Sequence, residues 1–404
     1  MNAPKSFVPE PFDYHEEIEI AIDTLTNLGV GLGRVDSWVV MVPFALPGER
    51  VRARVFRNYK NYSEADLIEV LQSSPNRVEP GCNLFGICGG CQYQHLRYEE
   101  QLKWKQSQVK ELFEKALGHS VDVAPTHASP QEYHYRSKLT PHYPKPRKGE
   151  ELPIGFLRQG HRNRIVDVPT CPIAMHSINE ALPSAREQLA AKRSSLKRGG
   201  TLLLRATKQG VTDNPKETVS EYIGDKVFQF EAGSFFQNNP YILPEFVDYA
   251  VKEARSEGIH YLIDAYCGVG VFALCASEHF KRCAGVEVSA SAVRWAGGNA
   301  CINGIKNCEF ILGEAEHIFE EVDFPSSETA MIIDPPRKGC DEAFLKQLIA
   351  FGPKRLVYVS CDPATQARDL TFLVGRGYTI ERIQPFDLFP QTRHIENIVT
   401  LRAD

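Results

Sequence analysis

The sequence predicts an α/β protein: a doubly wound, Rossmann-like sheet in the C-terminal part, preceded by an OB-like β-barrel and a mainly β central domain. Three observations predict it. Helix-like and strand-like stretches alternate from about residue 245 onward. Residues 15 to 72 carry short period-two runs separated by glycine and proline turns. Between the two lie short strands, loops and two helix-like stretches. The expected divisions are 1–75 for the barrel, 76–232 for the central domain and 233–404 for the doubly wound domain.

Each element has its own warrant. EIEIAID alternates with period two, WVVMVPFA and VRARVF follow, and GVGLG and PGE supply turns, the pattern of a small closed barrel. From Tyr98 to Leu117, residues Leu102, Val109, Leu112, Phe113 and Leu117 fall near one face of a helix. HYRSKLTPHY, IGFLRQG, RIVDVP and TLLLRAT read as strands and loops, with a second helix around 176–191. Then FVDYAVKEARSE, VFALCASEHF, SAVRWAGGNACING, AFLKQLIAFG and TQARDLTFLVGRG alternate as helices with the strands YLIDAYCG, CAGVEVS, EFILGEA, AMIIDPP and RLVYVSC.

At 404 residues, two or three domains are expected, and 43% hydrophobic with 24% charged residues is the profile of a protein with real cores. No long uncharged apolar run exists, and the N-terminus is acidic and proline-rich. A membrane span and a signal peptide are therefore not expected, and the location is read as cytoplasmic. The net charge of -5 argues against nucleic acid only in bulk. YPKPRKGE (143–150), FLRQGHRNR (156–164) and AKRSSLKRG (191–199) are local basic patches. Eleven cysteines, an odd count in a large chain, do not make a disulfide framework. Cys275, Cys283, Cys301 and Cys308 sit in apolar patterns as small core residues.

In such sheets ligands bind beyond the carboxyl ends of the strands. The first strand ends in DAYCGVGVFAL, where Gly268 and Gly270 leave the backbone bare. Glu287 ends the next strand, 23 residues after Asp264, where an acid can accept from ribose hydroxyls. This G-x-G-x-x-A pattern alone leaves an NAD- or FAD-binding oxidoreductase open. Two further stretches decide against it. MIIDPPRKG presents Asp334 before two prolines that stiffen the loop and remove amide donors. Loops of this N/D-P-P type recur at the substrate end of S-adenosylmethionine methyltransferases. VYVSCDPATQARDL carries Cys361 to a strand tip, and Asp362-Pro363 then turns the chain away.

Together these stretches closely resemble the RNA uracil-5 methyltransferases. The resemblance covers nearly the whole chain, from a TRAM-like barrel through a cysteine cluster to SFFQNNP (234–240), DAYCGVG, DPPRKG, SCDPATQARDL and DLFPQTRHIE (387–396). It implies that Gln237 and Tyr266 contact S-adenosylmethionine, that Glu287 holds its ribose, and that Asp334 lies beside cofactor and base. It further implies Cys361 as nucleophile and Glu396 as general base. Carbon 5 of uracil is too weak a nucleophile to take a methyl group unaided, and a thiolate added at carbon 6 gives it carbanion character. A carboxylate must then remove the hydrogen left on carbon 5. Three positions depart from the family pattern: Asp362 where Asn is commoner, Val271 for a polar Asn, and Gln391 for a frequent His. An ionised Asp362 close to the sulfur would raise the thiol pKa and slow attack.

GCNLFGICGGCQYQH holds Cys82, Cys88 and Cys91 in a C-x5-C-x2-C spacing, and Cys171 in VPTCPI is a fourth candidate ligand. Four thiolates suit structural zinc or a 4Fe-4S cluster, and three clustered cysteines with a distant one favour iron–sulfur. The resemblance implies a 4Fe-4S cluster as well.

A uracil within structured RNA must be rotated out of its stack to be reached. The barrel and central domain are read as the parts that grip the RNA, with Arg136, Lys138 and Arg158 to Arg164 as contacts. Ribosomal RNA, 23S in particular, is favoured because relatives with the cysteine cluster mostly modify it, and transfer RNA is the alternative. No obligate protein partner is inferred. The non-enzymatic rival is an iron–sulfur RNA-binding protein with a decayed methyltransferase domain.

Overall fold

The computed structural model describes Pro4, residues 7–313 and residues 322–404, so Glu314 and Ala315 of the expected strand EFILGEA lie outside the described residues. Strands β1 (Glu17–Leu25), β2 (Val30–Val35), β3 (Trp38–Pro43), β4 (Arg50–Asn58) and β5 (Tyr62–Gln72) close into a barrel in the order β1-β2-β3-β5-β4. The period-two pattern is the cause. Ile18, Ile20 and Ile22 turn inward onto Val40, Val42 and Val55, whereas Glu19 faces out and pairs with Arg50 at 2.7 Å. Gly33 is demanded by closeness, since a Cβ there would stand 2.0 Å from the Ala21 carbonyl oxygen.

Helix α1 (Tyr98–Leu117) follows the cysteine segment and stops at Gly118, which takes φ 77° and donates its amide to the Glu114 carbonyl. The central region contributes β6 (Lys138–Leu139), β7 (His142–Tyr143), β8 (Gly155–Leu157), β9 (Ile165–Asp167), β10 (Gly200–Thr201), β11 (Leu204–Thr207) and β12 (Gly210–Thr212). They form two small sheets, ordered β10-β7-β8-β9 and β12-β11-β6. Helix α2 (His176–Ala191) covers the second through Ile178 and Leu182. A hairpin of β13 (Thr218–Ile223) and β14 (Lys226–Glu231) leads on to the main sheet.

That sheet contains β15 (Tyr261–Ala265), β16 (Arg282–Glu287), β17 (Cys308–Leu312), β18 (Thr329–Ile333), β19 (Arg355–Ser360), β20 (Tyr378–Phe386) and β21 (Glu396–Ala403). Among the described residues its order is β17-β16-β15-β18-β19-β21-β20, with β21 antiparallel to both of its neighbours. Successive strand residues alternate between two cores, which is what a sheet covered on both faces requires. Leu262, Ile332 and Val357 face one core, shared with α3 (Leu243–Ala254), α4 (Val271–Ala276) and α5 (Ala290–Ile302). Ile263, Met331 and Leu356 face the other, shared with α6 (Glu342–Phe351), α7 (Pro363–Val374) and α1. The doubly wound expectation is borne out. The antiparallel β21 was not foreseen, because a strand's direction is set by its partners and not by its own residues.

Helix α1 buries Val109 and Phe113 against the main sheet, as its apolar face demands. It also buries a polar stripe of Gln101, Lys105 and Gln108. No helix among the described residues is long and apolar enough to cross a membrane.

Candidate active site

Strand β19 ends at Ser360, and the tip beyond it is stiff. Ser360 Oγ accepts from the Asp362 amide at 3.1 Å, and Asp362 Oδ1 accepts from the Ala364 and Thr365 amides at 3.1 and 3.3 Å. Asp362 is thus the N-cap of α7, with Pro363 preset in its first turn. Cys361 stands between strand and cap, half-buried. Ser360 pairs with Asn397 as the last pair of the β19–β21 ladder, so Cys361 directly follows one member of that pair and Glu396 directly precedes the other. Glu396 opens β21 and is only 3% exposed, not the surface charge a chain end commonly carries.

Asp334 follows β18, and the Asp-Pro-Pro loop folds back as Gly339 donates to the Pro336 carbonyl at 2.8 Å. Electrostatics join the three groups. Burial, then Glu396 and Asp334, push the Cys361 thiol up to about 12, with Asp362 contributing last. Burial and Asp334 hold the Glu396 carboxyl well above the usual range, and burial raises Asp334 to about 7. Arg337 acts in the opposite direction on both Cys361 and Glu396. Sequence reasoning assigned Arg337 no role, although it follows the double proline directly.

Next to Asp334, whose amide donates to the Ala265 carbonyl at 3.4 Å, Tyr266 turns at φ 65° and sets its ring edge-on to Phe344 at 5.5 Å. Glu287 Oε2 accepts from the Gly268 amide at 3.1 Å and Oε1 from the Ser289 amide at 2.9 Å. Each oxygen keeps a lone pair for a ribose hydroxyl. A Cβ on Gly268 would meet nothing within 4 Å, so the turn opens onto free space. Asp264 beneath it accepts from the Ala273 amide at 2.9 Å, leaves Oδ1 without a partner, and is raised by burial to about 8. Val271 begins α4 with no polar atom to offer, as its sequence implies. Gln237 is half-buried in a stretch whose carbonyls at Gly233 and Ser234 take hydrogen bonds from Lys138 at 2.9 and 3.0 Å. Lys138, read from sequence as an RNA contact, is therefore engaged within the protein.

Cys82, Cys88, Cys91 and Cys171 line one cavity of about 150 Å³, with Phe85 and Phe156 in its wall. Burial, with the neighbouring cysteines adding to it, pushes Cys91 up to about 12 and Cys171 up to about 11. No group of three or more His, Cys, Asp or Glu side chains among the described residues is close enough to form a ligand set. The four sulfurs share a cavity without meeting at ligand distances, and the shared cavity is the more informative fact because rotation about χ1 alone moves a sulfur.

Residues 166–404 match the tRNA (Uracil-5-)-methyltransferase family, and residues 15–68 match the TRAM domain. The chain belongs to the tRNA (uracil-5-)-methyltransferase family. It is an S-adenosylmethionine-dependent RNA uracil-5 methyltransferase, and the oxidoreductase reading and the decayed-domain reading both fall. Among relatives of this methyltransferase, a tRNA (uracil(54)-C(5))-methyltransferase of Schizosaccharomyces pombe is 43% identical over 97% of this chain and 79% of its own length. One of the same description from Saccharomyces cerevisiae is 34% identical over 98% of this chain and 75% of its own. A solved structure of a Pyrococcus abyssi tRNA (uracil-54, C5)-methyltransferase with S-adenosyl-L-homocysteine matches with a TM-score of 0.73 at 25% identity, covering 95% of this chain and 100% of that one.

Proposed function

We propose that this methyltransferase acts on carbon 5 of uridine 54 in transfer RNA through a covalent bond between Cys361 and carbon 6. The relatives named for that position align over nearly the whole chain, which replaces the expectation of ribosomal RNA. That expectation rested on the cysteine spacing, and ligand spacing describes a metal site and not the RNA.

The observation that supports the mechanism is that Cys361 and the buried Glu396 flank the last β19–β21 pair, Ser360 with Asn397, and that Glu396 acts on the Cys361 thiol. Tyr266, Glu287, Asp334 and Gln237 would hold S-adenosylmethionine, which supplies an electrophilic methyl group. Cys361 gives up its proton to solvent water, its thiolate bonds to carbon 6, and the ring electrons move toward carbon 5. Once carbon 5 carries the methyl group, Glu396 takes the remaining hydrogen as a proton. The electron pair of that C–H bond forms the new double bond and releases Cys361 as thiolate. General-base help of this kind is worth about two to four powers of ten.

The test uses tRNA transcripts containing 5-fluorouridine, whose fluorine cannot leave as a proton does. The expected result is a covalent protein–tRNA complex with the wild type and none with Cys361→Ala. Mass spectrometry of ordinary tRNA would then place the methyl group at residue 54. A Cys361→Ala protein that still turns over sinks the mechanism, and methylation of ribosomal RNA alone sinks the substrate.

The cysteine cavity supports a further element of the reading. Its four-sulfur donor set fits a 4Fe-4S cluster held by Cys82, Cys88, Cys91 and Cys171. Anaerobically purified protein should contain iron and sulfide and be brown. Colourless protein containing zinc would overturn that assignment. Arg136 and the exposed Arg158, Arg162 and Arg164 remain the proposed RNA contacts.

A further inference from the structure

The connection from β20 to β21, residues 387–395, ends on Glu396 and is buried along most of its length. Connections usually run over the surface, because buried backbone must find hydrogen-bond partners. Here the partners come from remote parts of the chain. Gln391 donates its amide to Gln101 Oε1 at 3.1 Å, and Gln101 Nε2 donates to Gln391 Oε1 at 3.0 Å. The Gln391 carbonyl accepts from the Gln92 and Tyr93 amides, both at 3.0 Å. Tyr135 donates its hydroxyl to the Pro390 carbonyl at 3.0 Å. At the start of the connection, Lys105 and Asp387 form a fully buried ion pair at 2.6 Å. Gln391 itself sits at φ 67°, a conformation that a side chain holds only when its surroundings impose it. Between Gln391 and Glu396 there is little slack, since Gln92 Oε1 also accepts from the Arg393 amide at 3.2 Å.

We propose that Gln101 and Gln391 are positioning residues for methyl transfer: their reciprocal amide pair sets where β21 begins and so aims the Glu396 carboxylate at the hydrogen on carbon 5. This rests on Glu396 being the base. A misaimed base leaves sulfur addition and methylation intact and blocks only the last step, in which the C–H bond breaks, its proton passes to Glu396 and the electron pair expels Cys361. The enzyme then stalls as a methylated covalent complex, which a general loss of folding does not produce.

The experiment supplies S-adenosylmethionine with a radiolabelled methyl group and an ordinary uridine-containing tRNA transcript, and resolves the products on a denaturing gel. Gln101→Leu removes both bonds to Gln391, together with those that Gln101 Nε2 donates to the Tyr93 and Leu96 carbonyls at 3.2 and 2.8 Å, and leaves the residues of the connection unchanged. Gln391→Gly keeps the left-handed backbone free of strain and serves if the first variant fails to fold. Each is expected to lower kcat by roughly 100-fold, to leave KM for tRNA within about twofold, and to accumulate labelled protein–tRNA complex. Glu396→Gln, run alongside, should accumulate the same complex. A complex with Glu396→Gln but with neither glutamine variant overturns the positioning role and spares the base. Its absence from Glu396→Gln overturns the base assignment, and this proposal with it.

Discussion

Cys361 is surrounded by groups that keep its proton on, burial first, then Glu396 and Asp334, with Arg337 alone among the main influences working the other way. The sign of a pH effect follows. Asp334, raised to about 7, is charged above that pH and neutral below it, so its repulsion of the thiolate exists only on the alkaline side. Asp334→Asn should therefore leave alkylation of Cys361 by iodoacetamide unchanged near pH 6 and speed it severalfold at pH 9, about tenfold for each pKa unit recovered. Peptide mass spectrometry reads the site, and the same ratio of variant to wild-type rate at both pH values would refute the coupling. Asp362→Asn should change the rate less, because that carboxylate is turned toward the Ala364 and Thr365 amides as a helix cap. Cys361 and Asp334 were legible in the sequence because a thiol or a carboxylate before a proline turn is a chemical signature. Gln391 was legible only as an oddity. Its partner Gln101 lies 290 residues away in the chain, and nothing local announces such a pairing.

Helix α1 shows the same division at the next scale. Its limits and apolar face follow from periodicity and from the glycine after Leu117. The burial of its polar stripe does not, because helical polar residues normally face water. Lys105 and Asp387 lose all exposure, which drives the lysine pKa down and the aspartate pKa up while their attraction opposes both. Removing one member of such a pair strands the other charge. Lys105→Met alone should destabilise the protein by about 3–5 kcal/mol, whereas Lys105→Met with Asp387→Leu should come within about 1–2 kcal/mol of wild type. Calorimetry of the two variants decides it, and equal losses in both would show that the charges do not interact as drawn.

Across the whole molecule, positive charge is distributed unevenly with respect to its own acids. On the barrel, Arg50, Arg52 and Arg54 face Glu19, Glu69 and Asp66 at 2.7, 3.3 and 3.7 Å, which leaves that face little spare charge for phosphates. Arg158, Arg162 and Arg164 are exposed on the loop beside the cysteine segment, whose Gly89 amide donates to the Leu157 carbonyl at 2.9 Å. Neutralising these three arginines should weaken tRNA binding and flatten its dependence on salt by about one logarithmic unit for each phosphate left without its cation, with kcat preserved. Neutralising Arg52 should do neither. Filter binding across a salt series separates the cases. The barrel and the doubly wound sheet could be read from hydrophobic rhythm, whereas the preferred RNA could not, because the motifs carry chemistry on a uracil and every RNA contains uracil.

Through Gln108, which donates to the Thr26 carbonyl of the barrel at 2.8 Å, helix α1 also reaches the N-terminal unit while Val109 and Phe113 fill the floor of the C-terminal one. The order of segments along the gene is thus a poor guide to dissection. A truncation beginning at residue 233 would leave an oily trough open on α7 and β20, and should precipitate on expression. Supplying residues 76–120 in trans, or starting the coding sequence ahead of them, should restore solubility.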